Sequence, residues 1–156
     1  MKQRQRGVTL MELLTVMVVL AIIASIAIPS YRKYLLRAQR ADAKTALLQA
    51  QTAQEKYVLQ NNAYTTLVTT GTNAIPPGLG LTGVSEHGYY TITVDAGLTN
   101  TDGTPGYTIR ALPVMAGPTS AQKDDADCVV FTIDAAGART ALNSGGANNF
   151  TTCWAK

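Results

Sequence analysis

The sequence predicts an α+β fold: a long N-terminal helix, apolar in its first half, packed on a C-terminal antiparallel β-meander of about four strands. Three observations carry that reading. Residues 8–28 hold 17 apolar side chains in 21, enough as a helix to cover about 30 Å. Residues 30–58 contain no glycine and repeat apolar side chains every three or four positions, the period of an amphipathic helix. Beyond Asn61 the chain turns to Thr, Gly, Asn and Pro, and short stretches of period two begin.

The first element starts behind a cationic head of Lys2, Arg4 and Arg6. Its apolar run admits three readings. A cleaved secretory signal would use the small-x-small sequence Ser25-Ile26-Ala27, but such a core seldom carries a carboxylate, and Glu12 stands near its start. A plain membrane anchor meets the same difficulty, because a charge near the membrane interior costs several kcal/mol unless paired or drawn to the surface. The third reading gives Glu12 a partner. A cut after Gly7 would leave an α-amine on Val8, one helical turn away on the same face. A buried charge is normally kept because it is paired.

The helix is expected to continue past Pro29 to about Leu59, roughly 75 Å in all at 1.5 Å per residue. Proline in mid-helix costs about 3 kcal/mol and bends more often than it stops. Two rows share the helical period. One is Tyr34, Ala38, Ala41, Thr45 and Leu48; the other is Ala43, Leu47, Ala50, Gln54 and Tyr57. Arg32, Lys33, Arg37, Arg40 and Lys44 follow the apolar run. They suit lipid headgroups, acids on neighbouring subunits, or a solvated helix face.

A loop over residues 65–88, with Ile75-Pro76-Pro77-Gly78 inside it, separates helix from sheet. Strands are expected at residues 89–94, 107–111 and 128–134, with a short fourth near 139–142. Alternation puts Tyr90, Ile92 and Val94 on one face of the first, Tyr107, Ile109 and Ala111 on one face of the second, and Val129, Phe131 and Ile133 on one face of the third. Short connections imply a meander whose one apolar face covers the helix stripe.

Charge divides as composition does. Residues 1–44 carry a net +6 and residues 45–156 a net −3, so the overall +3 joins unlike halves. This excludes a uniformly basic nucleic-acid binder, and the single apolar run excludes a polytopic membrane protein. Signatures of catalysis are missing. The one histidine, His87, lies in a glycine-bounded loop, and no Cys–His pair, P-loop or dinucleotide fingerprint appears. Asp124, Asp125 and Asp127 read as a solvated acidic loop, because calcium needs six or more oxygens and the EF-hand pattern is absent. No metal site and no cofactor are expected. The negative soluble part argues against DNA, since phosphate affinity comes largely from clustered Lys and Arg. Convergence of Arg110, Lys123, Arg139 and Lys156, with Trp154 as a stacking surface, keeps DNA as a secondary candidate partner.

Gly7, then Val8-Thr9-Leu10-Met11-Glu12-Leu13, the apolar run, and Ala27-Ile28-Pro29-Ser30-Tyr31 resemble the class III signal of type IV pilins. The resemblance implies cleavage after Gly7 by a prepilin peptidase, N-methylation of Val8, a role for Glu12 in assembly and a helix kink at Pro29. Val8 stands where the family usually has phenylalanine, and Ala21 where many members have glycine. The stretches Arg40-Ala41-Asp42-Ala43-Lys44, Gln54-Glu55-Lys56-Tyr57 and Tyr64-Thr65, with the ending Cys153-Trp154, resemble in particular type IVa minor pilins of the PilE type. The implied fold is the pilin fold. The implied domains are a leader (residues 1–7), a transmembrane and filament-core helix (8–31) and a globular pilin domain outside the cytoplasm (32–156).

Cys128 and Cys153, the only cysteines, should then pair, as exported domains favour disulfides. They bound the segment that the family uses for subunit contact and recognition. The implied role is a structural subunit of a bacterial type IV pilus, held in the inner membrane by a single span before it joins an extracellular filament. Its partners would be other pilins, the peptidase, the inner-membrane assembly platform and the membrane itself. Pilus biogenesis, twitching motility, adhesion and DNA uptake are the tasks such a subunit supports. The alternatives are a major pilin, a DNA-binding or adhesive pilin, and a pseudopilin of type II secretion, for which calcium-dependent stability would speak.

Overall fold

The computed structural model describes residues 8–69, 78–99, 103–115, 117 and 120–155. Gly7, Ile75-Pro76-Pro77 and Lys156, which entered the expectations above, lie outside the described residues. Helix α1 spans Leu10–Asn61 with Pro29 inside it. Strands β1 (Tyr90–Thr99), β2 (Pro105–Pro113), β3 (Val130–Asp134) and β4 (Arg139–Leu142) follow, and a short α2 (Phe150–Cys153) ends the chain. The sheet is an antiparallel meander in the order β1-β2-β3-β4. This is the expected α+β, pilin-like fold. The chain divides into two compact units, one up to Leu35 and one from Leu36 onward.

Within the second unit α1 buries Ala43, Ala46, Leu47, Ala50, Gln54 and Tyr57. Of these, Ala43, Ala46, Leu47 and Ala50 pack with Tyr90, Ile92, Val94, Tyr107, Ile109, Ala111, Phe131, Ile133 and Ala141 of the sheet. Four of the inward helix side chains are small or mid-sized, which leaves room for the large rings Tyr90, Tyr107 and Phe131 beneath them. Tyr90 and Phe131 meet edge to face at 5.8 Å, a favoured aromatic geometry. Buried Gln54 is fully used. Its amide donates to Thr65 O and its carbonyl accepts Thr65 N–H at 3.2 Å, which fastens the loop that leaves the helix.

The first pair of strands is longer than the sequence pattern suggests. Alternation fails at Ala96–Gly97, but Gly97 takes a positive φ of 78° and the register shifts there. The bulge absorbs one residue, so pairing resumes at Leu98 and reaches Thr99↔Pro105. β3 is shorter, starting at Val130. Val129 lies just outside the strand and is only half-buried, whereas Phe131 and Ile133 are buried.

Candidate functional site

In the first unit the side chains of residues 8–22 are exposed, Leu10 at 82%. The polar groups of this stretch turn inward on their own helix. Thr9 Oγ1 accepts the Glu12 N–H at 3.2 Å, Thr15 Oγ1 donates to Glu12 O at 2.8 Å, and Ser25 Oγ donates to Ile22 O at 2.7 Å. Thr9 is therefore the N-cap, and Glu12 stands three residues on, a spacing that marks helix starts. What remains is an apolar cylinder about 30 Å long with one carboxylate near its start. A contiguous apolar surface of that size marks a membrane or a protein interface. Length and composition suffice to cross a bilayer. Val8, Glu12 and Pro29 all lie in this unit.

The second unit sorts the two helical rows. Ala43, Leu47, Ala50, Gln54 and Tyr57 face the sheet, whereas Ala38, Ala41, Thr45 and Leu48 are exposed, Leu48 at 40%. Leu48 and Thr52 form a ridge between two grooves. One, of about 660 Å³, is lined by Ala53, Lys56, Tyr57, Leu79 and Leu81; the other, of about 480 Å³, by Gln51, Glu55, Tyr64 and Ala135. A ridge flanked by grooves is the shape that a second helix packs against.

Two expectations are overturned at the start of this unit. Arg40 is not on a solvated or lipid-facing surface, and Asp125 is not in a solvated acidic loop. Their side chains are 5% and 3% exposed and pair with each other. Arg40 Nε and Nη2 donate to Asp125 Oδ2 and Oδ1 at 2.7 and 2.8 Å, a bidentate pair. Gln122 Nε2 adds a bond to Asp125 Oδ2 at 3.0 Å, and Asp127 N–H one to Oδ1 at 3.3 Å. Burial works against the Arg40 charge, but the hydrogen bond and charge of Asp125 outweigh it and hold its pKa above the ordinary value. The reason lies in the helical period. Arg40 stands three before Ala43 and seven before Leu47, on the buried row, so its guanidinium needs an acid wherever the sheet side supplies one. That spacing was the available signal. Among the described residues no three His, Cys, Asp or Glu side chains are grouped to hold a metal ion.

The pair fixes α1 against the stretch just before Cys128, where the disulfide-bounded segment begins. Cys128 and Cys153 are bonded, both fully buried. A bridge closing 25 residues stabilises by roughly 3.5 kcal/mol on the chain-entropy view. Arg40 Nη1 also reaches Thr152 O at 3.4 Å, and Lys44 Nζ reaches Trp154 O at 3.1 Å. The cysteine-bounded segment is thus held at both ends, by covalent and ionic links.

Trp154 packs into the fold. It meets Phe131 edge to face at 5.9 Å, its Nε1–H donates to Thr140 O at 2.8 Å, and Arg139 lies over its ring at 5.3 Å. Arg110 pairs with Asp95 at 3.0 Å, and Lys123 is exposed. His87 is exposed as expected, but its ring meets Asp42 at 3.1 Å.

Comparison with known proteins gives these features a family. The family described as "Type IV minor pilin ComP, DNA uptake sequence receptor" matches residues 29–132. The prokaryotic N-terminal methylation motif matches residues 2–28. The type IV major pilin protein PilA of Myxococcus xanthus is 39% identical over 61 residues, 39% of this chain and 28% of that protein. The type IV major fimbrial protein FimA of Dichelobacter nodosus is 42% identical over 59 residues, 38% of each. The type II secretion system core protein G of Pectobacterium carotovorum is 36% identical over 61 residues, 39% of each. The chain thus spans well under half the length of these relatives, whereas the first family covers two-thirds of the chain. The chain belongs to that family of type IV pilins.

Proposed function

We propose that the chain is a minor pilin, a structural subunit that enters a type IV pilus through α1. The observation that carries this reading is the uncovered apolar helix of the first unit. It is stable in a bilayer or among other such helices, and in water each Å² of its apolar surface costs about 25 cal/mol. The exposed ridge at Leu48 and Thr52 offers the second unit a face of its own for a neighbouring helix. On this reading a peptidase removes residues 1–7, Val8 is methylated, and Glu12 meets an α-amine within the new helix bundle. The domain from residue 32 onward then lies outside the cytoplasm, and Pro29 sits at the junction. Neighbouring pilins, the assembly platform and the peptidase are its partners.

Intact mass of the chain from sheared filaments and from membranes of the same cells tests this. The expected filament mass lacks residues 1–7, is one methyl heavier, and is two hydrogens lighter for the disulfide. A small share of filament protein is expected, as befits a minor subunit; dominance of the sheared fraction would make it the major pilin. A chain cut after Ala27, or never cut, would overturn the assembly reading.

A second reading is DNA reception, favoured by the description of the matching family. Arg139 stacked on Trp154 would supply a cationic, planar contact to a phosphate or base. The full chain in detergent is then expected to bind duplex DNA with an affinity that falls steeply as salt rises, by a slope set by the phosphates neutralised. Binding that ignores salt, or no binding at low salt, would refute it.

A further inference from the structure

We propose that Asp42 and His87 form an acid-closed latch, which holds the turn at residues 85–89 against α1 and loosens it as pH rises. His87 is the only histidine of the chain. Its side chain is 66% exposed, whereas Asp42 is 6% exposed. His87 touches one oxygen of Asp42 twice, through its ring Nδ1 at 3.1 Å and its backbone N–H at 3.4 Å. The other oxygen, Asp42 Oδ2, is buried with no hydrogen-bond partner among the described residues. A buried carboxylate so placed gains from a cationic neighbour, and protonated His87 supplies one.

The turn is also bonded within itself, to the start of β1 and, through Tyr89 O, to Val114 N–H at 2.9 Å. Ser85 N–H donates to Tyr90 O at 2.8 Å, Gly88 N–H to Ser85 O at 2.9 Å, and Tyr90 N–H to Ser85 Oγ at 3.0 Å. The His87 ring stacks on Tyr89 at 6.1 Å. The His87–Asp42 pair is a polar contact between the turn and α1, and its release is expected to loosen His87 and Gly88 while Ser85 and Tyr89, held by β1 and the core, stay in place.

The charges around the pair are few. Glu86 lies beside His87 on the turn, and Asp42 faces it from α1. Behind Asp42, toward the sheet, stand Tyr90, Arg40 and Asp125. Arg40 and Asp125 neutralise each other, and burial pushes the Tyr90 hydroxyl far above its usual range, so it stays neutral. The hydrogen bond and charge of Asp42, with a smaller contribution from Glu86, hold the His87 imidazolium above the ordinary histidine range. A raised value means that the latch is fully present below about pH 6.5 and is lost as pH passes through the raised value. Neutral imidazole can still donate one hydrogen bond, so the ionic part alone is released. An exposed pair of this kind changes the closed-to-open ratio by about twofold to fivefold.

The test uses the full chain in detergent micelles, where a lone histidine gives a single set of ring resonances. Its titration is followed by NMR together with exchange of the His87 and Gly88 amides, with the Ile109 amide as a reference for global opening. Wild type is expected to lose about twofold to fivefold of protection at His87 and Gly88 as the ring deprotonates, with Ile109 unchanged. In Asp42→Asn the ring should titrate at a lower pH, and in His87→Gln the protection of Gly88 should not vary with pH. A wild-type turn whose protection ignores the ring titration would overturn the latch, as would a His87→Gln chain that keeps the wild-type profile.

Discussion

Asp125→Ala is expected to lower the unfolding free energy by about 3–5 kcal/mol, because it strands the Arg40 guanidinium in a site 5% exposed to water. For a domain of this size the melting temperature should fall by about 10 °C. The loss spreads beyond the ion pair. Gln122 and the Asp127 backbone each give up an acceptor, and Cys128 lies just beyond, so the disulfide segment loses its ionic tie to α1 while keeping its covalent one. Thermal unfolding of the oxidised protein measures the drop. The double variant Arg40→Met with Asp125→Leu separates the causes. Removing both charges together should recover most of the loss, since an apolar pair of similar volume is often neutral against a buried salt bridge. If the double variant were as unstable as Asp125→Ala, the packing of the segment rather than its charge would be responsible. If Asp125→Ala cost under about 1 kcal/mol, water would be reaching Arg40 and the pair would count as a surface contact.

The contrast between legible and hidden features follows from the range of each interaction. The helix, the meander and its inward faces were visible because period 3.6 and period 2 are local properties. Tyr90, Ile92 and Val94 needed only their own alternation to be placed. The choice between two helical rows was not local. Ala41, Thr45 and Leu48 repeat as regularly as Ala43, Leu47 and Ala50, and the sheet takes the row that brings small side chains under its rings. The partnership of Arg40 and Asp125, 85 residues apart, depends on a fold that places the segment before Cys128 beside the helix. The bulge at Gly97 was hidden for another reason. A glycine inside an alternating stretch signals either a turn or a bulge, and the register of the partner strand decides which. Local capping is legible in the sequence as well. Thr9-x-x-Glu12 is a helix start in its own right, and the Thr9 hydroxyl accepts the Glu12 N–H.

That cap gives Glu12 two separable tasks, and Glu12→Gln is expected to split them by inserting and folding normally while disappearing from sheared filaments. The cap uses the Glu12 backbone N–H, which glutamine keeps. The carboxylate in the first helical turn adds about 0.3–1 kcal/mol through the helix dipole, too little to unwind a helix held by an apolar environment. Helicity in detergent and retention in the membrane should therefore match wild type. Assembly is different. A carboxylate among so many apolar side chains costs about 2.5–3.5 kcal/mol near a membrane centre, and on the proposed assembly that cost would be offset by the amine of a processed Val8, on this chain or a neighbour. If the charge sets the stacking register, as proposed, filament incorporation should fall on the order of tenfold or more without it. Thr9→Val provides the opposite variant. It removes the cap at a cost of about 1 kcal/mol and keeps the charge, so it should assemble nearly as wild type. Quantifying the chain in membrane and sheared fractions of both variants decides the matter. Normal filaments with glutamine and few with valine would mean that Glu12 serves the start of its own helix, and that register is set elsewhere along α1.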